Sequence, residues 1–294
     1  MSISPLHSVI QNKFKELFPT STNEIYISSV GGGCINETYK ITFNDQNFFC
    51  KINSASKFPH LFDKEANGLN LIAQQNIIKV PKVIDKFQFD KYQILILEWI
   101  EEGERTDQFW KMFGEQLASL HRVSNDFFGL DENNYMGCVL QSNKPTSNWI
   151  DFFIQQRLQP LIETCLANKL LSTKHQSQFE KLYQQLAFIF DKQQKSCLLH
   201  GDLWSGNFMC NKQSEPILID TAVYFGHPYV DIGMTTLFGG FHRDFYKAYN
   251  YHAPISSNFQ DQCAVCNLYP LLVHLILFGS SYLSQIETIV DRYS

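Results

Sequence analysis

The sequence predicts an α+β protein of two lobes, a β-rich N-terminal lobe over residues 1–100 and a mostly helical C-terminal lobe over residues 101–294. Before residue 100, five short runs rich in β-branched and aromatic residues predict a five-stranded sheet. After it, apolar residues recur every three or four positions, the period of amphipathic helices. The boundary lies where a nearly continuous apolar strand, residues 93–100, gives way to the acidic segment 101–104.

In the N-terminal lobe the first predicted element is an amphipathic helix over residues 6–18, which ends before Pro19. Predicted strands follow at residues 25–27, 38–43, 47–52, 81–87 and 92–99. A second helix, residues 61–75, lies between the third and fourth strands. The lobe is therefore expected to be a sheet supported by two helices.

The C-terminal lobe is predicted to contain helices at residues 107–124, 149–167 and 173–193, another beginning at residue 231, and a last apolar helix at 268–283. Between the first two lies a segment rich in Asn and Gly, residues 125–148, which we interpret as a long loop. Long ordered loops often carry function. This loop is a candidate wall for the binding site of an acceptor molecule.

The composition is that of a globular protein, with 44% hydrophobic and 18% charged residues. A net charge of −5 without a basic cluster gives no electrostatic footprint for nucleic acid. The longest apolar stretch, residues 268–283, is interrupted by polar residues and is shorter than the roughly 20 residues of a membrane span. It therefore predicts a buried helix, and no membrane partner is expected.

The cellular compartment is inferred from the first residues and from the cysteines. Residues 1–15 lack a long hydrophobic core and do not resemble a secretory signal. The eight cysteines follow no disulfide framework spacing. Both features predict a cytoplasmic protein with reduced thiols. The sequence leaves a homodimer open.

The stretch that carries the chemistry begins with His200, Gly201 and Asp202 after an apolar pair. Asn207 follows, and a second apolar run ends in Asp220. Transfer of a phosphoryl group from ATP to a hydroxyl needs a carboxylate near the acceptor oxygen and oxygen ligands for Mg²⁺. Asp202 suits the first role, and Asn207 and Asp220 suit the second. The alternative is that these residues are ordinary turn formers between buried strands.

Residues 200–207, His-Gly-Asp-Leu-Trp-Ser-Gly-Asn, resemble the signature of the fructosamine kinase (ketosamine-3-kinase) family, within the aminoglycoside phosphotransferase and choline kinase superfamily. The resemblance covers nearly the whole chain. It implies a protein-kinase-like fold and phosphorylation of a sugar hydroxyl on a free or protein-bound ketosamine, with ATP and Mg²⁺ as cofactors. The chain departs from the family pattern at Thr221, because the family usually has proline after the metal aspartate.

Three consecutive glycines, Gly31, Gly32 and Gly33, join the first two predicted strands. Without a Cβ, their backbone N–H groups can approach a phosphate closely. The alternative is an ordinary glycine turn of a hairpin.

The protein-kinase pattern also places a strand lysine on the α- and β-phosphates and a helix glutamate beside that lysine. Lys51 and Glu65 fit these positions, with Asp63 as a rival for Glu65. The alternatives are an exposed edge-strand lysine and a surface helix charge. In the same architecture the segment between the lobes binds adenine.

That linking segment contains Glu98, Trp99 and Ile100, whose main-chain groups are therefore candidate nucleotide contacts. Trp204 and His274 are candidate contacts of the sugar, and both could instead pack into the core.

His200 and Asp231 are expected to support the catalytic loop from behind. Asp231 is also expected to cap the helix that begins there.

Cys34 directly follows the three glycines. In an exposed turn that attracts anions its thiolate would be favoured, which would make it the most easily oxidised of the eight cysteines. Its oxidation would then lower activity reversibly. The alternative is a small residue that fills space under the strand.

Two rival functions remain. The first is a kinase for another small hydroxyl compound, such as an aminoglycoside or choline. An aminoglycoside site should be rich in carboxylates, and the C-terminal segments are not strongly acidic. The second is a binding module of the same fold without turnover, which is disfavoured because all the expected polar positions are filled.

Overall fold

The computed structural model describes residues 6–19, 24–31 and 36–293. Its first part contains two helices and five strands: α1 (His7–Leu17), β1 (Ile25–Ser29), β2 (Glu37–Phe43), β3 (Gln46–Ser54), α2 (Leu61–Ala73), β4 (Val83–Phe89) and β5 (Tyr92–Glu98). The strands form one antiparallel sheet in the order β1-β2-β3-β5-β4. We call this sheet with α1 and α2 the sheet unit.

The rest of the described chain, which we call the helical unit, contains these elements: α3 (Asp107–Leu120), β6 (Asn134–Met136), β7 (Val139–Gln141), α4 (Trp149–Phe152), a π-helical turn (Phe153–Leu158), α5 (Gln159–Ala167), α6 (Thr173–Ile189), β8 (Cys197–Leu199), β9 (Phe208–Cys210), β10 (Pro216–Leu218), β11 (Tyr224–Gly226), α7 (Tyr229–Leu237), α8 (Arg243–His252), α9 (Phe259–Phe278), a 3₁₀ turn (Ser280–Tyr282) and α10 (Leu283–Tyr293). The predicted α+β class and the order of a β-rich part before a helical part are confirmed.

The sheet buries its two faces differently, since successive strand residues point to opposite sides. One face carries Ile41, Phe48 and Ile96, which pack with Ile10 and Phe14 of α1 in a single apolar cluster. The opposite face packs against α2 and contacts the helical unit through Lys51 and Asp220. Lys51 lies on this second face, where its β-bridge partners are Thr38 on β2 and Leu95 on β5.

Helix α9 is the central helix of the helical unit, and twelve of its twenty residues are buried. It is the one helix in the described ranges that is long and apolar enough to cross a membrane by length and composition, and 67% of that window is buried inside the fold. A buried helix was predicted at residues 268–283 and is confirmed, but its bounds differ, since it begins at Phe259 and ends at Phe278, before a 3₁₀ turn.

Residues 125–148 are not only loop, and the sequence interpretation of this segment was wrong in part. Strands β6 and β7 form an antiparallel hairpin within it, with Asn134 opposite Gln141. Each strand has three residues, which is too short for an alternating apolar pattern to be recognised. The other short strands form two more antiparallel pairs, β9 with β10 and β8 with β11.

Candidate active site

The loop that carries Asp202 runs from the end of β8 to the start of β9. Its shape depends on Gly201, which has φ +86°. A Cβ at this position would lie 2.0 Å from the carbonyl oxygen of Ala222, so no residue with a side chain fits without moving backbone. The close approach allows Ala222 to donate its N–H to the His200 carbonyl at 2.9 Å. The loop and the segment after Asp220 are therefore held together.

His200 is buried and holds the loop in place through both ring nitrogens. Its Nε2 lies 2.8 Å from the carbonyl oxygen of Ile219, and the N–H of Asp202 donates to its Nδ1 at 3.1 Å. Because Nδ1 accepts, the proton is on Nε2, which donates to Ile219. Burial lowers the pKa of His200, which favours this neutral ring.

Asp231 supports the same loop from the opposite side. Its two carboxylate oxygens accept the backbone N–H groups of His200 at 2.8 Å and Gly201 at 2.9 Å. His121 contacts one of these oxygens at 3.2 Å and the Tyr249 hydroxyl at 2.8 Å. The predicted support of the catalytic loop is thus seen as direct hydrogen bonds.

The predicted capping role of Asp231 is wrong. Helix α7 begins at Tyr229, its N-cap residue is Pro228, and the structure records no side-chain cap hydrogen bond there. Asp231 lies in the first turn with both oxygens turned to the catalytic loop, so it is not available to cap its own helix.

Asp202 is held by Asn207. The Asn207 amide nitrogen donates to the Asp202 carbonyl oxygen at 2.9 Å and to its carboxylate at 3.0 Å. Burial, reinforced by the nearby negative charge of Asp220, raises the pKa of Asp202 well above its usual range, against the opposing hydrogen bond from Asn207. A carboxyl group with a raised pKa is a better proton acceptor near neutral pH.

Asp220 follows β10 in the left-handed region, with φ +54°. Its carboxylate contacts the Lys51 ammonium, and Lys51 also donates to Glu65 at 2.6 Å. The structure therefore brings together the strand lysine, the helix glutamate and the second aspartate. The rival Asp63 instead pairs with Lys86 and His60.

The charge state of this group follows from its partners. Burial alone would lower the pKa of Lys51, but the carboxylates of Asp220 and Glu65 outweigh burial and raise it. Burial also raises the pKa of Glu65, and the charge of Asp220 adds to this, while Lys51 opposes it. Lys51 is therefore a buried, fully charged cation aimed at the cleft.

Asn207 and Asp220 fit a divalent cation by the chemistry of their donor atoms. The Asn207 amide nitrogen is turned to Asp202, which leaves the amide oxygen for a cation. The Asp220 side chain is 45% exposed and offers a carboxylate. Hard cations such as Mg²⁺ prefer these oxygen ligands.

The predicted nucleotide contacts are placed only in part. Gly31 is exposed, whereas Gly32, Gly33 and Cys34 lie outside the described residues, and with them the predicted oxidation site. The Glu98 N–H already donates to the Lys82 carbonyl at 2.8 Å. This leaves Trp99 and Ile100 as the candidate main-chain donors for adenine.

The Trp99 ring faces the cleft side of the sheet. Its centroid lies 6.3 Å from that of Phe49, and the Lys40 ammonium lies 4.7 Å above it. Phe49 precedes Lys51 by two residues and so shares its face of β3. The sequence interpretation missed Phe49, although period-2 alternation from Lys51 could have identified it.

Trp204 and His274 belong to one row of rings beside the catalytic loop. Trp204, 36% exposed, lies across Gly206, where a Cβ would come within 2.3 Å of its indole. Phe238, which the sequence interpretation missed, lies 5.8 Å from Trp204 and 4.9 Å from His274, between ring centroids. Thus neither predicted sugar contact is part of the closed core.

Thr221, where the family pattern has proline, is buried beside α2. Among the described residues its hydroxyl finds no hydrogen-bond partner, and a Cβ on Gly68 would lie 2.8 Å from this oxygen.

A carboxylate held by an asparagine, a second aspartate after a short hairpin, and a strand lysine paired with a helix glutamate are the shared arrangement of kinase-like phosphotransferases. Fold and site together define a protein of this class. The family model for fructosamine kinase matches residues 6–294. The chain belongs to the fructosamine kinase family and is an ATP-dependent phosphotransferase.

Individual relatives agree with this assignment. The chain is 36% identical over 267 residues to a "probable ketoamine kinase" of Synechocystis, covering 90% of this chain and 88% of the relative. It is 33% identical to a chloroplastic protein-ribulosamine 3-kinase of Arabidopsis thaliana, covering 100% and 88%. A solved structure assigned as a fructosamine-3-kinase from Thermobifida fusca has a TM-score of 0.84 at 28% identity, covering 96% of each chain.

Proposed function

We propose that this chain transfers the γ-phosphoryl group of ATP to a sugar hydroxyl of a ketosamine, a sugar joined to an amine by Amadori rearrangement. The observation that carries the proposal is the different setting of two neighbouring carboxylates. Asp202 is held by the amide of Asn207, whereas Asp220 contacts the cation of Lys51. The first setting suits a hydroxyl, and the second suits phosphates and their metal.

In this proposal Lys51, fixed by Glu65, binds the phosphates in the cleft between residues 1–100 and residues 101–294. The backbone of Gly31, Gly32 and Gly33 would cover them. The adenine would contact the main chain at Trp99 and Ile100.

Asn207 and Asp220 would hold Mg²⁺, which when bound neutralises the charge of the phosphates. Asn207 would offer its amide oxygen, and Asp220 its carboxylate, which also contacts Lys51.

Asp202 orients the acceptor hydroxyl and takes its proton. The acceptor oxygen forms a bond to the γ-phosphorus while the bond from that phosphorus to the β–γ bridging oxygen breaks, and ADP leaves. The Asn207 amide, which donates to the Asp202 carboxylate at 3.0 Å, holds this proton acceptor in position. His200 and Asp231 keep the loop in position and do not meet the substrate.

The sugar is proposed to lie against Trp204, with His274 at the far end of the ring row. The Nδ1 of His274 lies 2.8 Å from the Pro270 carbonyl, which can only accept, so Nδ1 carries a proton. Burial lowers the pKa of His274 and favours the neutral ring. Its Nε2 can then accept a hydrogen bond from a sugar hydroxyl.

The names of the relatives support a ketosamine acceptor, and the name of the Arabidopsis relative supports phosphorylation of the 3-hydroxyl of a ribulosamine.

A cytoplasmic location is also proposed. It is supported by the free thiols of all seven cysteines that the structure describes.

The acceptor class is tested by ADP release with a panel of ribulosamines, fructosamines, aminoglycosides and choline. Ketosamines are expected to stimulate ADP release well above the rate without acceptor. An aminoglycoside or choline as the active acceptor would contradict the proposal, and no ATP consumption with any acceptor would support the binding module.

Replacing Trp204 by alanine should raise the KM for the ketosamine roughly tenfold, the equivalent of about 1.4 kcal/mol, because an aromatic stacking surface is lost. The KM for ATP should stay near the wild-type value. Phe188→Ala is the matched control, since Phe188 is an aromatic residue of α6 that is 82% exposed. An unchanged ketosamine KM in Trp204→Ala would exclude Trp204 from the acceptor site.

A further inference from the structure

Helix α2 makes polar contacts on two sides, through side chains that lie close together along the helix. Glu65 faces the cleft and accepts from Lys51 at 2.6 Å. Lys64 points to the helical unit and donates to Glu132 at 2.6 Å. Asn67, one turn further along, donates to the other oxygen of Glu132 at 3.0 Å. Both carboxylate oxygens of Glu132 are therefore occupied by side chains of α2.

The Glu132 carboxylate is negatively charged at neutral pH. Burial opposes the charge, but the hydrogen bonds from Lys64 and Asn67 outweigh it and lower the pKa of this carboxyl. The Lys64 and Glu132 side chains are 27% and 30% exposed, so this pair is shielded from water to a considerable degree. It differs in this respect from an ordinary surface ion pair.

The backbone that carries Glu132 is itself fixed. Its carbonyl accepts from the Asn143 side chain at 3.0 Å, and Asn143 in turn accepts from Arg157 at 2.7 Å. Arg157 is fully buried, with its guanidinium over the rings of Tyr224 and Phe152. The backbone at Glu132 is therefore held in place, which fixes the position of its side chain.

The same hairpin region is bonded to the segment that follows Asp220. Asn134 donates to the Val223 carbonyl at 2.8 Å, and Gln141 donates to the Ala222 carbonyl at 3.2 Å. The hairpin thus contacts α2 on one side and the chain next to the proposed metal ligand on the other. Within the sheet unit, α2 packs on β5 through apolar residues such as Leu69 against Leu95. Those contacts fix α2 on its own sheet, while its position relative to Asp220 depends on the hairpin and on Gly68, which lies directly against Thr221 and Val223.

We propose that Glu132 is a positioning residue for phosphoryl transfer. Together with the packing of Gly68 on Thr221 and Val223, it holds α2, and through Glu65 it holds Lys51, at the right distance from Asp220 across the cleft. The inference rests on the proposed function, because it assigns Lys51 to the ATP phosphates. Glu132 itself touches neither substrate.

The test is a charge swap. Lys64→Glu and Glu132→Lys each place like charges in contact, and each should raise the KM for ATP about tenfold, with the KM for the ketosamine within about twofold of wild type. The double variant Lys64→Glu/Glu132→Lys should recover most of this loss. Asn67 can take part in the recovery, since its amide can turn to present oxygen to a lysine. The affinity for Mg·ATP, measured by calorimetry, should follow the same pattern.

Glu215→Gln is the matched control, because it weakens the Lys79–Glu215 ion pair, which also joins the two units but does not involve α2. Its kinetics should equal those of wild type. Wild-type ATP affinity in both single variants, or a double variant no better than the singles, would overturn the proposal. If no ketosamine is phosphorylated by the wild type, the proposed function fails, while the calorimetric ATP affinities still decide the role of Glu132.

Discussion

Asp202→Asn is expected to lower turnover by roughly 10²- to 10⁴-fold, the range for loss of a general base, with Mg·ATP affinity near that of wild type. The asparagine keeps the shape of the side chain and can still accept from Asn207, so the loop should remain folded. Only the ability to take the proton of the acceptor hydroxyl is lost. ADP release with a ketosamine measures turnover, and calorimetric titration measures nucleotide affinity.

Asp126→Asn is a suitable control, because Asp126 is an exposed aspartate outside the catalytic loop at residues 200–207. It should leave both measurements unchanged. Turnover retained by Asp202→Asn would exclude Asp202 as the base. A large loss of ATP affinity in this variant would instead place the residue on the nucleotide.

Asp220→Ala should weaken Mg·ATP binding at least about tenfold, because it removes a carboxylate ligand and a partner of Lys51. The effect should depend on the metal. In the presence of a chelator, the ATP affinities of the variant and the wild type should differ much less than with Mg²⁺. Unchanged Mg·ATP affinity by calorimetry would contradict the ligand role, and an equal loss with and without Mg²⁺ would assign Asp220 to Lys51 alone.

Much of the architecture could be predicted because it follows from local periodicity. The alternation in β2 and the helical spacing in α1 and α3 each reflect one buried face, so the sequence shows these elements directly. The continuous apolar run of α9 instead reflects a helix that is buried on most sides. The pairing of Lys51 with Glu65 was predicted from a family pattern, and the structure distinguishes Glu65 from Asp63 by their partners. Here tertiary contacts were needed, since both carboxylates lie on the same helix.

Features that depend on contacts between distant segments could not be predicted. The conformation of Gly201 is set by the carbonyl of Ala222, more than twenty residues further along the chain. The wrong capping role of Asp231 has the same cause, because its partners are the backbone amides of the loop at His200. Glu132 gave no sequence signal, since its role arises only when α2 and the β6–β7 hairpin meet.

The proposed acceptor is a sugar hydroxyl of a ketosamine. NMR of the product formed from a ribulosamine and ATP tests it most directly. We expect a phosphorus signal coupled to the sugar proton at the 3-position, which appears with the wild type and is absent with Asp202→Asn. Phosphate found on an aminoglycoside ring or on choline, with the ketosamine recovered unchanged, would contradict it.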